Sequence, residues 1–141
     1  MVRCGIIPWV KTLLADIDGA MLQHCVARIG GRQPLTLATS KAQALELLHQ
    51  GAGFEVVVAC DRLADGSGLA LLDDVHVRWP HLTRVFCIDR HRLAMVRGRL
   101  SAFRLRHTLP YPLMPAKLEL LLMQLQHAKM AATARPRPPA R

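Results

Sequence analysis

Val56-Val57-Val58-Ala59-Cys60-Asp61-Arg62-Leu63-Ala64-Asp65-Gly66-Ser67-Gly68-Leu69-Ala70-Leu71-Leu72 is the stretch on which the fold turns. Apart from Glu55, the chain from Phe54 to Ala59 is apolar, with a β-branched run at Val56–Val58, as a central parallel strand covered on both faces requires. The strand runs out into Cys60 and Asp61, turns through two glycines and enters a helix that Ser67 caps, with Leu69, Leu71, Leu72, Val75 and Val77 facing inward. An open α/β sheet keeps its chemistry at strand ends of this kind, where loops and helix N-termini converge.

Moving toward the N-terminus, Thr12-Leu13-Leu14-Ala15 is a short strand ending at Asp16, and Met21, Leu22, Cys25, Val26 and Ile29 follow at helical spacing. Gly30-Gly31 stops that helix, Pro34 to Thr39 makes a second strand, and Ser40 caps a helix from Lys41 to about Gln50. Toward the C-terminus, Val85-Phe86-Cys87-Ile88 is a fourth strand ending at Asp89. Residues 90–100 read as a weak helix interrupted by Gly98, and 102–109 as a fifth strand. Pro115 opens a long leucine-rich helix to about Met130, at a position where its missing N–H costs nothing. Five strand–helix units in strict alternation predict an α/β fold with a doubly wound, five-stranded parallel sheet. Residues 131–141 are rich in proline and arginine and predict a disordered basic tail, or the start of a linker, after one domain over 1–130.

The 141 residues are 51% hydrophobic, enough for one full core without staples. Cysteines at 4, 25, 60 and 87 show neither metal-ligand nor disulfide-framework spacing and read as cytosolic thiols. With no apolar run of about 20 residues and no leader pattern, the expectation is a cytoplasmic protein without a membrane span. The net charge of +9 is concentrated: seven arginines lie between Arg84 and Arg106 against the single acid Asp89. Such a stretch favours an acidic protein surface, nucleic acid or anionic lipid, and an ordinary solvated face would carry it equally well.

This order of elements, with acids after strands one and three, resembles the receiver domain of two-component signalling over about residues 10–130. The resemblance implies a flavodoxin-like sheet in the order 2-1-3-4-5. It also implies a phosphorylation pocket of two adjacent acids after strand one, an acceptor aspartate after strand three, a Thr or Ser after strand four, and a Lys followed by a cis proline after strand five. In this sequence Asp16 matches the first acid, Ile17 stands at the second, and Asp18 matches a third acid that the family often has. Counting without gaps from either flank puts Cys60 at the acceptor, and Asp61 reaches that position only with compensating gaps. Asp89 stands at the Thr/Ser position and Tyr111 at the lysine, in Leu109-Pro110-Tyr111-Pro112.

Phosphoryl transfer to a carboxylate needs positive charge and donors on the phosphoryl oxygens, and a pocket of Asp16, Asp18, Cys60, Asp61, Asp89 and Tyr111 lacks both the family's lysine and its Thr/Ser hydroxyl. The expectation is a degenerate receiver, not an enzyme and without a cofactor or metal. It would act as a phosphorylation-independent protein-interaction module in signal transduction or transcriptional regulation. The resemblance gives the fourth helix, fifth strand and fifth helix as its contact surface, with Arg97, Arg99, Arg104 and Arg106 as candidates. A sensor kinase, an output regulator or a second copy would be the partner. Two other readings stay open. One is an active phospho-receiver using Asp61 and Asp16, with Asp18 nearby, around Mg²⁺; the other is nucleic-acid binding through the basic 84–106 face. For Cys60 itself, a plain buried core thiol and a redox pair with Cys87 are both compatible with the sequence.

Overall fold

A computed structural model describes residues 10–51, 53–102 and 104–134. Five parallel strands form one sheet: β1 (Thr12–Ala15), β2 (Leu35–Ala38), β3 (Val56–Cys60), β4 (Thr83–Ile88) and β5 (His107–Pro110). Their spatial order is β2-β1-β3-β4-β5, the predicted 2-1-3-4-5. The register places Ala15 beside Ala59 and Cys60 beside Cys87, so the ends of β1, β3 and β4 rise together on one edge of the sheet. Between β3 and the next helix, Arg62–Leu63 and Gly66–Ser67 pair as a small antiparallel ribbon that the sequence did not announce.

Helices α1 (Gly19–Ile29) and α5 (Pro115–Ala134) cover one face, and α2 (Lys41–His49), α3 (Gly68–Arg78) and α4 (Arg90–Ala102) cover the other. Strand alternation divides β3 between two cores: Val56, Val58 and Cys60 pack toward α1 and α5, while Val57 and Ala59 pack toward α2 and α3. All five residues are buried, which makes β3 the centre of the molecule. Burying each valine stabilises the fold by about 1.5–3 kcal/mol. Ser40 and Ser67 cap α2 and α3 as expected, each hydroxyl accepting the backbone N–H three residues on.

Several boundaries differ from expectation. Helix α1 begins at Gly19 rather than Met21, because Asp18 serves as its N-cap and accepts from the Ala20 and Met21 N–H groups. Helix α4 extends to Ala102; Gly98 lies on its open side, where an added Cβ would meet nothing. Strand β5 is confined to His107–Pro110 instead of 102–109, because Arg104 turns the chain with φ 58° and Leu105 N–H closes on Leu100 O. Val77 is 72% exposed and does not face inward. The long helix continues through Ala134, four residues into the segment expected to be disordered, since alanine is the strongest helix former. The rest of that tail, with Cys4, Trp9 and Phe103, lies outside the described residues. Among the described residues no helix is long and apolar enough to cross a membrane.

Candidate functional site

The raised sheet edge holds an open cavity of about 500 Å³ lined by Asp16, Ile17, Asp18, Asp61, Arg62, Asp89, Arg92 and Tyr111. Each residue is there because a strand has just ended. Asp16 follows β1 and is fixed by its N–H to Ala38 O at 3.1 Å, and Ile17 N–H reaches Arg62 O at 3.0 Å. Asp61 follows β3, Asp89 follows β4, and Tyr111 follows β5 with its N–H on Ile88 O at 3.2 Å. The Tyr111–Pro112 peptide is cis, at the place where the receiver pattern has its cis proline.

The four acids have separate roles. Asp16 is 1% exposed. Its Oδ2 accepts a long hydrogen bond from the Tyr111 hydroxyl at 3.4 Å, and its Oδ1 has no hydrogen-bond partner among the described residues. Burial pushes its carboxyl above the usual range, against the lowering effect of backbone N–H groups at Asp18 and Ile17. Burial, followed by the charge of Asp16, pushes the Tyr111 phenol up to about 12. Asp18 faces the cavity but is committed to the α1 cap. Asp89 similarly accepts the His91 N–H at 2.8 Å, at the start of α4.

Asp61 is held in a fork by Arg92, with Nε at 3.0 Å from Oδ2 and Nη2 at 3.4 Å from Oδ1. No local spacing announces this pair, which joins residues 31 positions apart. Cys60 does not line the cavity. It is wholly buried, packs against Cys25 and Cys87 on the α1–α5 face, and its thiol is pushed far up by a hydrogen bond with Cys87 and by burial. A thiol with so little thiolate character is a poor nucleophile. The Cys87 thiol donates to Pro110 O at 3.5 Å.

The receiver resemblance would place Mg²⁺ among these carboxylates. A hard cation of this kind takes several oxygen ligands. Here the residue after Asp16 is the half-exposed, apolar Ile17, Cys60 before Asp61 is a buried thiol, and a guanidinium engages both oxygens of Asp61. Of the four arginines expected on the contact surface, Arg97 and Arg99 lie exposed on α4, whereas Arg104 and Arg106 line a different cavity at the opposite sheet edge.

The arrangement defines the class: a receiver-type doubly wound sheet whose strand ends form a carboxylate-lined pocket. The structure is similar to the signal receiver domain of an HD domain-containing protein from Pseudomonas fluorescens Pf-5, with TM-score 0.74 and 23% identity over 89% of this chain and 93% of that one. It is also similar to a CheY-like response regulator receiver domain protein from Methanospirillum hungatei JF-1, with TM-score 0.76 and 15% identity, covering 89% and 99% of the two chains. A structure described as adenylate cyclase from Rhodopirellula baltica matches with TM-score 0.77 and 14% identity, covering 89% and 95%. No protein-family model matches the sequence, and no curated protein matches it. The fold is therefore that of response-regulator receiver domains.

Proposed function

We propose that this chain is an atypical receiver domain, a signalling module that works through protein contacts without being phosphorylated. One observation carries the reading: Cys60, which the ungapped register puts at the acceptor position, is wholly buried, while the neighbouring carboxylate, Asp61, is engaged by Arg92. Phosphorylating Asp61 would require breaking that fork and bringing a dianion beside Asp16, Asp18 and Asp89, with no lysine and no Ser or Thr hydroxyl in the cavity lining to receive it. The contact surface we assign is the face of α4, β5 and α5, where Arg97 and Arg99 are exposed together with Met95 on α4 and Leu120 on α5. Exposed apolar side chains together with exposed guanidinium groups suit an acidic protein partner, a kinase or an output regulator, by steering and complementarity. A second copy of the chain would have to keep the arginines at the rim of a symmetric contact.

Incubation with a small acyl phosphate and Mg²⁺, followed by intact mass, tests the reading. The expected product is unmodified protein. A phosphoryl adduct that is lost in Asp61→Asn would overturn it in favour of the Mg²⁺-dependent phospho-receiver. Charge reversal by Arg97→Glu with Arg99→Glu tests the surface: partner association should slow and lose its salt dependence while the fold remains intact. A salt-dependent shift of duplex DNA by the wild type, abolished by the same reversal, would instead favour nucleic-acid binding through the basic face.

A further inference from the structure

The opposite edge of the sheet, where β4 and β5 begin, carries a second open cavity of about 390 Å³. Its charged and titratable lining is Arg84, Arg104, Arg106, His76, His81 and His107, without a single acid. Four of the chain's ten acids lie instead around the first cavity, at the far end of the strands. Arg84 is 8% exposed, donates to Leu72 O at 3.4 Å and Arg104 O at 3.3 Å, and is near enough to Asp73 to interact with its charge. Arg104 and Arg106 are exposed, and among the described residues neither side chain has a hydrogen-bond or ion-pair partner.

The backbone at Arg104 adds an independent sign. Its φ of 58° is a left-handed conformation at the end of α4, a position where glycine or asparagine is the usual occupant. An arginine there is unfavourable for the backbone, and its exposed side chain makes no hydrogen bond or ion pair that offsets the strain. Held at the rim by the Arg84 contact to its carbonyl, it faces the same hollow as Arg106 and the imidazoles.

We infer that this cavity is a binding site for a small soluble anion carrying two or more phosphate groups. Guanidinium forks match phosphate oxygens in pairs, and imidazoles add further donors. Three guanidinium groups and three imidazoles offer more donors than the four oxygens of a single phosphate can take up, so a linked pair of phosphates suits this lining better than a single one. The site is remote from the carboxylate pocket and does not depend on whether Asp61 is phosphorylated.

The test is isothermal titration of the full chain with pyrophosphate at constant ionic strength. One-site, saturable binding is expected. It should weaken about tenfold or more in Arg104→Gly with Arg106→Gln, the size expected for losing charged hydrogen bonds. Glycine suits the left-handed backbone at 104, so this variant should fold at least as well as the wild type. The control, Arg28→Gln with Lys117→Gln, removes the same net charge from exposed helix positions and should bind within about twofold of wild type, because diffuse charge alone is screened. The proposal is overturned if the wild type gives no saturable binding or if both variants lose affinity equally. It is also overturned if the protein binds duplex DNA that pyrophosphate does not displace.

Discussion

Asp16 at the end of β1 and Arg84 near the start of β4 are both almost wholly shielded from water, 1% and 8% exposed, at opposite edges of the same sheet. Burial pushes both toward neutrality, raising the carboxyl of Asp16 and lowering the guanidinium of Arg84. The surroundings answer differently. Arg84 donates to two backbone carbonyls and thereby ties the end of α4 to α3, a structural use of charge. Asp16 has one oxygen on a long bond to Tyr111 and the other without a hydrogen-bond partner among the described residues, so its burial is a cost that the fold offsets only in part. A buried charge with partners on every side belongs to the scaffold, and one left partly unmatched marks the place where the scaffold serves something else.

The largest way to sharpen this contrast is Cys60→Asp, which puts a carboxylate where the ungapped receiver register would place the acceptor. It adds a second buried acid to an edge that already leaves one unsatisfied, and should cost about 3 kcal/mol or more at neutral pH in denaturant unfolding. The loss should shrink as pH falls and the new carboxyl protonates. A variant as stable as the wild type would mean that the β3 end opens to water far more than its burial implies.

Next comes Arg84→Ala, which leaves the carbonyls of Leu72 and Arg104 without this donor and should cost about 2 kcal/mol. If it were neutral, the distinction between a matched and an unmatched charge would fail. Asp16→Asn should move in the other direction, stabilising the protein by about 1 kcal/mol at pH 7, because an amide is easier to bury than an unsatisfied carboxylate. Since the folded carboxyl titrates above its unfolded value, the native state keeps the proton longer. Wild-type stability should therefore fall as pH rises from the ordinary carboxylate range through the raised value of Asp16, and stay at that lower level above it. Asp16→Asn should remove this segment of the pH profile. The same substitution should bring the phenolate absorbance titration of Tyr111, the only tyrosine, down from about 12 toward its ordinary value.

The smallest effect is expected for Arg92→Gln. Its fork with Asp61 involves an arginine side chain that is 49% exposed, so thermal stability should change little and the difference should vanish in high salt. Its value lies in reactivity. If Arg92 blocks Asp61, the variant is the one in which slow labelling by an acyl phosphate should first become detectable by mass.

What the sequence made legible was whatever is local. Alternating strand and helix patterns, Ser40, Ser67 and Pro115 at helix starts, and acids at strand ends are signals within a few residues, and the structure has each of them in place. Asp18 was visible only as a pocket acid, and the structure uses it as the cap of α1 while it still faces the cavity. The Arg92–Asp61 fork and the burial of Arg84 were not legible, because both depend on where separate elements meet rather than on any spacing along the chain. A run of arginines looked like one basic face. The turn at Arg104 separates it into residues exposed on α4 and residues lining a hollow at the other sheet edge.

The pinning of β3 also bears on how such a chain can change over evolutionary time. The strand is paired on both sides, residue for residue, and α3 starts so close to it that a Cβ on Gly68 would lie 1.8 Å from the Cys60 carbonyl oxygen. Sliding the strand by one residue to bring Asp61 into the place of Cys60 would turn every side chain of β3 to the wrong face. Descent could therefore erase or restore a carboxylate at this spot by exchanging a side chain, while the path through a shifted backbone is closed.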